Sequence, residues 1–246
     1  LRHVNKDPLN VAIYAWNPLT VIEIAGNGHV DPLPIFFVTL SLLCFSKSRK
    51  YAGALAITLA CLSKFFALPL LLLWMRTADR RQICLIGGVL VLAFLPFLHA
   101  GSNLFKGLVD YLTLWEFNGS VFPVLLALTR SYTLTKTLLT AGLGLLFLNL
   151  CRQDRPFPEA AFIITGALLL LSPTVYPWYL LWILPFICIY HNAAWLLLSA
   201  TIVFSYSVFI HYPITGKWQP AAFIPWITYG PFYIFLLLSS RRTSIR

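Results

Sequence analysis

The chain has 246 residues, of which 59% are hydrophobic and only 11% are charged. Ordinary soluble domains are about 25% charged, so this composition excludes them and predicts a polytopic membrane protein. The net charge of +10 does not require a nucleic-acid partner, because the basic residues lie at the ends of apolar segments, where membrane topology explains them.

Apolar segments follow one another along the chain and predict an all-α fold, a polytopic transmembrane helical bundle. Several segments are shorter than the ~20 residues that a straight membrane span needs, so we expect short broken or re-entrant helices among them. Residues 104–117 should lie along the interface, and residues 121–128 are too few to cross. The apolar segments are 9–25, 30–45, 48–62, 65–75, 82–99, 132–150, 157–173, 177–190, 193–210 and 223–240.

The chain begins with Leu1 rather than Met and contains no visible signal peptide. We therefore expect a single integral membrane domain over residues 1–246 that lacks its N-terminal spans and its first external loop. The cysteines lie in or beside apolar segments without CxxC spacing, so neither a metal site nor a disulfide framework is predicted. The cysteines are Cys44, Cys61, Cys84, Cys151 and Cys188.

Basic clusters between the apolar segments decide the predicted topology, because basic residues mark cytosolic loops. Residues 48–75 could form one span or a helical hairpin with its tip at Ser63 and Lys64. The hairpin puts 13 of the 18 Lys and Arg residues on the cytosolic side, namely Arg2, Lys6 and four clusters. A single span nearly removes this asymmetry, so the sequence predicts the hairpin. The clusters are Lys47, Arg49 and Lys50; Arg76, Arg80 and Arg81; Arg152 and Arg155; and Arg241, Arg242 and Arg246.

Polar side chains concentrate in the loops that this topology places outside. Glu23, His29 and Asp31 form the densest group, in an otherwise apolar chain. Ionisable groups at membrane depth are usually functional. Two simpler interpretations stay open: Asp31 could only cap the helix that Pro32 begins, and His29 could only anchor at the lipid headgroups.

Lys64 is a second candidate, because it interrupts a long apolar run. A lysine at a helix end can snorkel to the interface without any function. No packing reason requires a charge here, however, and a compact ammonium group offsets phosphate charge well. We therefore expect Lys64 to bind a lipid phosphate.

Two segments rich in aromatic and polar side chains complete the candidates. Residues 115–120 combine aromatic rings with Glu116 and Asn118, which suits a sugar with apolar faces and a hydroxyl rim. Residues 172–179 contain two prolines that enforce a rigid bend, and their aromatic and hydroxyl groups could line a cavity. The alternatives are an aromatic belt at the interface and a plain turn between helices.

Four blocks occur in order along the chain: Trp16-Asn17-Pro18-Leu19 with Glu23 and Gly28-His29-Val30-Asp31; Leu62-Ser63-Lys64-Phe65 ending at Pro69; residues 115–120; and residues 172–179. Together they resemble blocks of bacterial GT-C-fold membrane glycosyltransferases, most nearly the polyprenol-phosphate-mannose-dependent mannosyltransferases. The resemblance implies an inverting transfer of a hexose, with mannose expected first, from a polyprenyl-phosphate donor to an acceptor hydroxyl on the extracytoplasmic face. It also implies that the usual catalytic carboxylate lies in an external loop ahead of the present residues, so either the base is missing from this fragment or another carboxylate acts.

Glycosyl transfer needs a base, a group that stabilises the departing phosphate, and a surface against which the sugar packs. For catalysis the candidates are Asp31, His29 and Glu23, and for the donor phosphate they are Lys64 and His29. No metal ligand is predicted, and the polyprenyl-phosphate-linked sugar is a substrate rather than a cofactor. The candidates for sugar or acceptor binding are Trp115, Glu116, Asn118, Tyr176 and Trp178.

The expected partners are the lipid bilayer, the lipid-linked sugar and a glycan or lipid acceptor, in the bacterial plasma membrane. No Walker loop or GxGxxG motif is present, which argues against a nucleotide-driven enzyme on the cytosolic side. A transporter or flippase of a lipid-linked or small polar substrate is an alternative, since broken helices with buried charges also describe transporters. The lack of matching interrupted helices in two halves weighs against it. A non-catalytic scaffold subunit is a further alternative.

Overall fold

The computed structural model describes the backbone of residues 1–243 and the side chains of residues 1–239. This part of the chain is helical, and its sheet-like pairing is limited to two isolated bridges, from Phe117 and from Asn118 to Thr174. Three stretches within it are long and apolar enough to cross a membrane, namely Arg80–Leu114, Tyr132–Arg152 and Ala193–Thr215. The predicted all-α membrane fold is confirmed. In the last basic cluster, Arg246 and the side chains of Arg241 and Arg242 lie outside the described residues.

The chain divides into two compact units, each assembled from separate stretches. The first unit comprises Leu1–His29, Glu116–Thr140 and Leu169–Arg246, and the second comprises Val30–Trp115 and Ala141–Leu168. The prediction of one integral membrane domain stays a prediction. The longer helices are α1 (Pro32–Ser46), α2 (Lys50–Ser63), α3 (Leu68–Met75), α4 (Arg80–Phe94), α5 (Lys106–Leu114), α6 (Val121–Thr129), α7 (Tyr132–Arg152), α8 (Phe157–Leu171), α9 (Ala193–Thr201), α10 (Val208–Thr215) and α11 (Ile224–Thr243).

Helices α1 and α2 pack against each other at the centre of the second unit. Pro32 opens α1, where its missing N–H group removes no helical hydrogen bond. Helix α2 buries Ala54, Ile57 and Cys61, which recur every three or four residues and so share one face. The short turn between the helices makes them antiparallel, so the start of α1 and the end of α2 lie at the same end of the unit.

The chain doubles back after α2. Lys64 adopts an extended conformation (φ −161°, ψ 131°) that ends α2, and a single 3-10 turn then leads into α3. Trp74, near the end of α3, packs so closely on Gly53, near the start of α2, that a methyl group on Gly53 would overlap the indole ring. The two limbs are therefore antiparallel. The predicted hairpin with its tip at Ser63 and Lys64 is confirmed.

The Trp74 side chain also joins the loops at the open end of this hairpin. Its ring contacts Phe45 and Phe157 at centroid distances of 6.0 and 5.0 Å, and its Nε1 donates to Oε1 of Gln82 at 3.3 Å. These residues adjoin the loops after α1, after α3 and before α8. The basic residues of three clusters therefore lie at one end of the second unit, and Lys64 lies at the other.

Two further helices of the second unit follow this hairpin. Helix α4 begins at the basic end, where the carboxylate of Asp79 caps it by accepting from the backbone N–H of Gln82 at 2.9 Å. A kinked 3-10 stretch (Leu95–Phe105) then leads into α5. Helix α5 thus covers most of residues 104–117, while the position of this segment along the interface stays a prediction.

The first unit contains many short helical pieces. Residues 8–26 do not form one helix, because Pro18 follows Asn17, whose Oδ1 accepts from the N–H of Leu19 at 3.0 Å and whose Nδ2 donates to Oγ of Ser199 at 3.0 Å. The predicted segment 177–190 is likewise broken, into a 3-10 turn (Pro177–Trp182) and a short helix (Leu184–Ile187). Most of that segment is buried, so it serves as core of this unit.

Candidate functional site

The second unit holds a buried ion pair at the tip of the hairpin. Lys64 Nζ donates to both carboxylate oxygens of Asp31, at 2.8 and 2.9 Å. The side chain of Asp31 is 1% exposed, whereas that of Lys64 is 27% exposed. The carboxylate is therefore enclosed, and Lys64 is the member of the pair whose side chain is partly accessible.

This ion pair decides between two interpretations of the sequence. Asp31 directly precedes α1, but its side chain makes no capping hydrogen bond. The alternative in which Asp31 only caps α1 is therefore wrong, because both of its oxygens bind Lys64. A snorkelling lysine would end in water rather than on a buried carboxylate, so the geometry also disfavours snorkelling for Lys64.

A second polar cluster, in the first unit, centres on Glu23, whose side chain is 0% exposed. Its Oε2 accepts from Nδ2 of Asn27 at 3.0 Å and lies 3.3 Å from Nε2 of His29. Its Oε1 accepts from the hydroxyl group of Tyr206. A π-helical turn (Val21–Gly26) carries Glu23 into this position. His29 is therefore held by a buried carboxylate, which disfavours the interpretation as a simple headgroup anchor.

Tyr206 was not among the predicted site residues. It lies in the apolar segment 193–210, which the sequence predicts as a membrane helix. The structure forms a 3-10 stretch there (Ile202–Ser207), which brings the Tyr206 hydroxyl group to Glu23. The one signal in the sequence is a hydroxyl group in an apolar segment, and that signal does not identify its partner 183 residues away.

Four aromatic rings of the first unit form a continuous column that ends on His29. Phe117 stacks on Tyr176 (4.4 Å between centroids, 16° between planes), Tyr176 on Trp178 (4.5 Å, 3°) and Trp178 on His29 (4.0 Å, 24°). Two rings at these distances cannot share one face of a third, so both faces of Tyr176 and Trp178 are covered. A sugar can therefore contact only the edges of these two rings, which limits the sugar binding predicted for Tyr176 and Trp178.

The column is anchored by the backbone. Phe117 N–H donates to the carbonyl of Pro173 at 3.1 Å, and Val175 N–H donates to the carbonyl of Phe117 at 2.7 Å. A Cβ atom at Gly119 would lie 3.0 Å from the carbonyl oxygen of Pro173, so glycine allows this close approach. The structure thus joins two segments that the sequence singled out separately, residues 115–120 through positions 117–119, and residues 172–179.

Asn118 occupies a strained position in this junction. Its φ of 47° is left-handed, which is uncommon for a residue other than glycine. Its carbonyl oxygen accepts from the Tyr229 hydroxyl group at 2.8 Å, and its side chain is buried without a hydrogen bond to the described residues. Its sugar-binding role stays a prediction, and direct contact with a sugar would require the segment to open.

Trp115 and Glu116 lie on either side of the boundary between the two units in the sequence. The Trp115 side chain is half exposed and contacts the ring of Tyr111 at 5.8 Å within the second unit. Glu116, in the first unit, is partly buried, which raises the pKa of its carboxyl group, while the charge of Lys136 lowers it in part. Sugar or acceptor binding by either residue stays a prediction.

The candidate residues form pairs rather than metal-binding groups. Within residues 1–243, no three His, Cys, Asp or Glu side chains come together in a way that could hold a metal ion. The cysteines are free thiols, three of them buried. The two arrangements that could take part in a reaction are thus the Asp31–Lys64 ion pair and the Glu23–His29 pair.

The chain was compared with known families and structures. The model of Glycosyltransferase family 87 matches residues 4–173, more than half of the chain. No curated protein and no solved structure gives a significant match. The family match includes Glu23, His29, Asp31 and Lys64, and it ends before Tyr176.

Proposed function

The chain belongs to glycosyltransferase family 87, and on that premise we propose its reaction, its donor and its orientation. It is a glycosyltransferase with helices able to span a membrane. The proposed reaction moves a hexose, mannose in the first instance, from a polyprenyl-phosphate donor to an acceptor hydroxyl. The reaction takes place on the extracytoplasmic face of the bacterial plasma membrane.

The observation that carries this proposal is the Asp31–Lys64 ion pair. In the transfer, the bond between C1 of the sugar and the phosphate oxygen breaks, and its electron pair stays on the departing phosphate. A fixed cation stabilises that developing charge more in the transition state than in the substrate. Lys64 supplies such a cation, because its side chain is partly exposed at the tip of the hairpin and Asp31 holds its ammonium group in place.

Asp31 has a positioning role in this proposal. Its carboxylate is 1% exposed behind Lys64 and holds the ammonium group through both oxygens. A substrate hydroxyl group would meet Lys64 before it met this carboxylate, which makes Asp31 a poor candidate for the base. Its negative charge instead compensates a lysine at membrane depth, where an unpaired cation is costly.

The proposed orientation follows from the two ends of the second unit. Basic clusters gather at the end where α1 and α3 finish, and the ion pair lies at the opposite end. Basic loops remain on the cytosolic side of membranes. This arrangement supports an extracytoplasmic position for Lys64 and for the phosphate that it would bind. The transporter alternative is not favoured, because the family is one of transferases.

The proposed function is tested with the full-length protein in vesicles that contain polyprenyl-phosphate mannose and a lipid acceptor. We expect Lys64→Ala to lower mannose transfer by about 100-fold or more, the size seen when a transition-state donor is removed. Asp31→Asn should lower transfer less, since it leaves the ammonium group present but loosely held. Lys47→Ala and Asp154→Asn, which alter exposed charges at the basic end, are the matched controls.

Near-normal transfer by Lys64→Ala would refute the phosphate role. If the wild type uses a nucleotide sugar instead of polyprenyl-phosphate mannose, the proposed donor is wrong. Orientation is tested with Phe65→Cys and Thr77→Cys in a background without native cysteines, since both positions are exposed. A membrane-impermeant thiol reagent should label the first only from outside and the second only from the cytosolic side.

A further inference from the structure

We propose that an aromatic rim of the first unit binds phospholipid headgroups in the extracytoplasmic leaflet of the membrane. The rim consists of the exposed side chains of Phe209, Tyr212, Lys217, Trp218 and Trp226. These residues follow the part of the chain that the family model matches, which ends at residue 173. The proposal concerns membrane binding, and it does not depend on the donor, the sugar or the acceptor of the proposed reaction.

Trp218 gathers the rings of the rim into one cluster. Helix α10 ends at Gly216, whose positive φ of 66° turns the chain sharply and whose N–H donates to the carbonyl of Tyr212 at 2.8 Å. The Trp218 ring then lies 5.4 Å from the ring of Phe209 and 5.3 Å from that of Tyr212. These three rings are 41% to 59% exposed, so the described part of the chain leaves the cluster uncovered.

The rim lies at one end of two antiparallel segments. Ala193–Thr215 is long and apolar enough to cross a membrane, and α11 returns beside it. The Trp195 ring contacts that of Phe232 at 4.9 Å, and Oγ1 of Thr201 donates to the carbonyl of Thr228 at 2.8 Å. Residue numbers rise along one segment as they fall along the other. The end of α10 and the start of α11 therefore lie at the same end of the pair.

The two ends of this pair differ in charge. Helix α11 has 20 residues, and a rise of ~1.5 Å per residue makes it about 30 Å long, the thickness of the hydrocarbon core. It begins beside the rim, and Arg241, Arg242 and Arg246 follow at its far end in the sequence. Basic clusters mark the cytosolic side of a membrane. The rim is therefore assigned to the extracytoplasmic side.

The chemistry of the rim fits a layer of phospholipid headgroups. Trp and Tyr concentrate at this depth because each combines an apolar ring with a polar group. Lys217 can place its ammonium group at a lipid phosphate while its methylene groups lie against apolar surface. No Asp or Glu follows Glu159 in the sequence, so the segments that form the rim contain no carboxylate to repel that phosphate.

The rim also adjoins the aromatic column of the first unit. The Trp218 side chain donates a hydrogen bond to Tyr176, one of the two central rings of that column. Binding of the rim to headgroups therefore sets the depth of the column in the bilayer. The column lies near the headgroups, where the polar part of a lipid substrate also lies.

Spin labels measure the depth of the rim. The full-length protein, in a background without native cysteines, is labelled singly at Ile210, Thr215 or Gln219, all exposed positions. It is placed in vesicles of phosphatidylethanolamine and phosphatidylglycerol. Collisions with oxygen should dominate at Ile210 and collisions with a water-soluble nickel chelate at Gln219. The two should be comparable at Thr215.

A label at Phe235, which is exposed in the middle of α11, is the matched control for the hydrocarbon core. It should collide with oxygen and not with the nickel chelate. In the same vesicles, phosphorus NMR should show that the label at Thr215 broadens the phospholipid signal, whereas the label at Phe235 leaves it unchanged. Equal broadening by the two labels would contradict headgroup binding.

Two patterns of collision would overturn the inference. If nickel reached Ile210 as freely as Gln219, the rim would lie in water. If neither reagent reached any of the three positions, a protein surface would cover the rim instead of lipid.

The leaflet is tested with a membrane-impermeant thiol reagent. Gln219→Cys should react only from outside, and Thr243→Cys, at the far end of α11, only from the cytosolic side. The reverse pattern would place the rim in the cytoplasmic leaflet and contradict the proposal. These measurements need no turnover, so failure of the proposed transfer reaction and failure of this inference are distinguishable.

Discussion

The two ends of the second unit each hold a cation, and the two cations are satisfied in different ways. At the basic end, the Arg76 guanidinium donates to backbone carbonyls of Leu150, Cys151, Gln153 and Arg155 at 2.8 to 3.3 Å. At the other end, Lys64 is paired with a buried carboxylate and remains 27% exposed. The first cation joins segments of the protein to one another, whereas the side chain of the second stays partly accessible.

Under the proposed function, the difference separates a structural charge from a functional one. The carbonyls at the C-terminal end of α7 have no partners within the helix and carry partial negative charge. A planar guanidinium with several donors can satisfy a group of such carbonyls at once. An ammonium group on a carboxylate can instead exchange its contacts as charge develops on a bound phosphate. Burial alone would not distinguish the two cations.

The largest expected effect on stability is that of Arg76→Ala. Loss of several charge-assisted hydrogen bonds should lower the free energy of unfolding by about 3 kcal/mol, because the end of α7 loses its partners. The transfer rate per folded molecule should stay close to that of the wild type. Thermal unfolding in detergent and a transfer assay on the same preparation check both parts.

Arg80→Ala, at an exposed residue of the same end, is the control for Arg76→Ala. Lys64→Ala should instead lose transfer per folded molecule, in addition to the stability lost when the buried Asp31 carboxylate is left without its partner. If Arg76→Ala lost transfer without loss of stability, the contrast between the two ends would be broken.

A smaller effect is expected for Gly53→Ala. The added methyl group would overlap the Trp74 indole ring, and overpacking of this kind costs roughly 2 kcal/mol. The effect should shrink when Trp74 is also changed to leucine, because the clash is removed. The unfolding temperatures of the two single variants and the double variant measure this coupling.

Gly87→Ala is the matched control for Gly53→Ala, since nothing lies within 4 Å of a Cβ atom at Gly87. It should be neutral or slightly stabilising, because alanine has the higher helix propensity. If both variants had the same effect, the hairpin would not close through Trp74 and Gly53, and the assignment of Lys64 to the opposite end would lose its support.

The smallest effect is expected for the Asp79 cap at the start of α4. The hydrogen bonds from the backbone and side chain of Gln82 lower the pKa of Asp79 below its ordinary value. The stabilisation by the charged cap is therefore fully present above the ordinary pKa and lost as the pH falls through the lowered pKa. Unfolding temperatures between pH 6 and pH 3 should fall less steeply for Asp79→Asn than for the wild type. Parallel curves would show that this cap does not contribute.

Much of the fold was predictable because charges are scarce in this chain. The position of Lys64 between apolar runs, together with the distribution of basic clusters, indicated a hairpin rather than a span, and the Gly53–Trp74 contact confirms it. Broken helices were expected among the short apolar segments, but the sequence did not identify the break within residues 177–190. Its apolar composition fits a helix and a buried core segment equally well, and only packing distinguishes them.

The candidate site was predictable only in part. Lys64, Asp31, His29 and Glu23 were identified from the sequence as separate polar residues, but their partners were not. Spacing gives no information on a contact such as that of Asp31 with Lys64, which are 33 residues apart. For the same reason Tyr206 was missed, and Arg76 was counted as a topological charge although it binds backbone carbonyls.

The sequence by itself determined the class of the fold, the family resemblance and the order of the loops. It could do so because lipid excludes charge, so that each charged residue in an apolar chain carries information on topology. Tertiary structure alone decided that Asp31 pairs with Lys64, that Glu23 holds His29, and that the rings of Tyr176 and Trp178 stack within a column. Those contacts depend on packing between segments that are distant in the sequence, and local patterns of residues do not encode that packing.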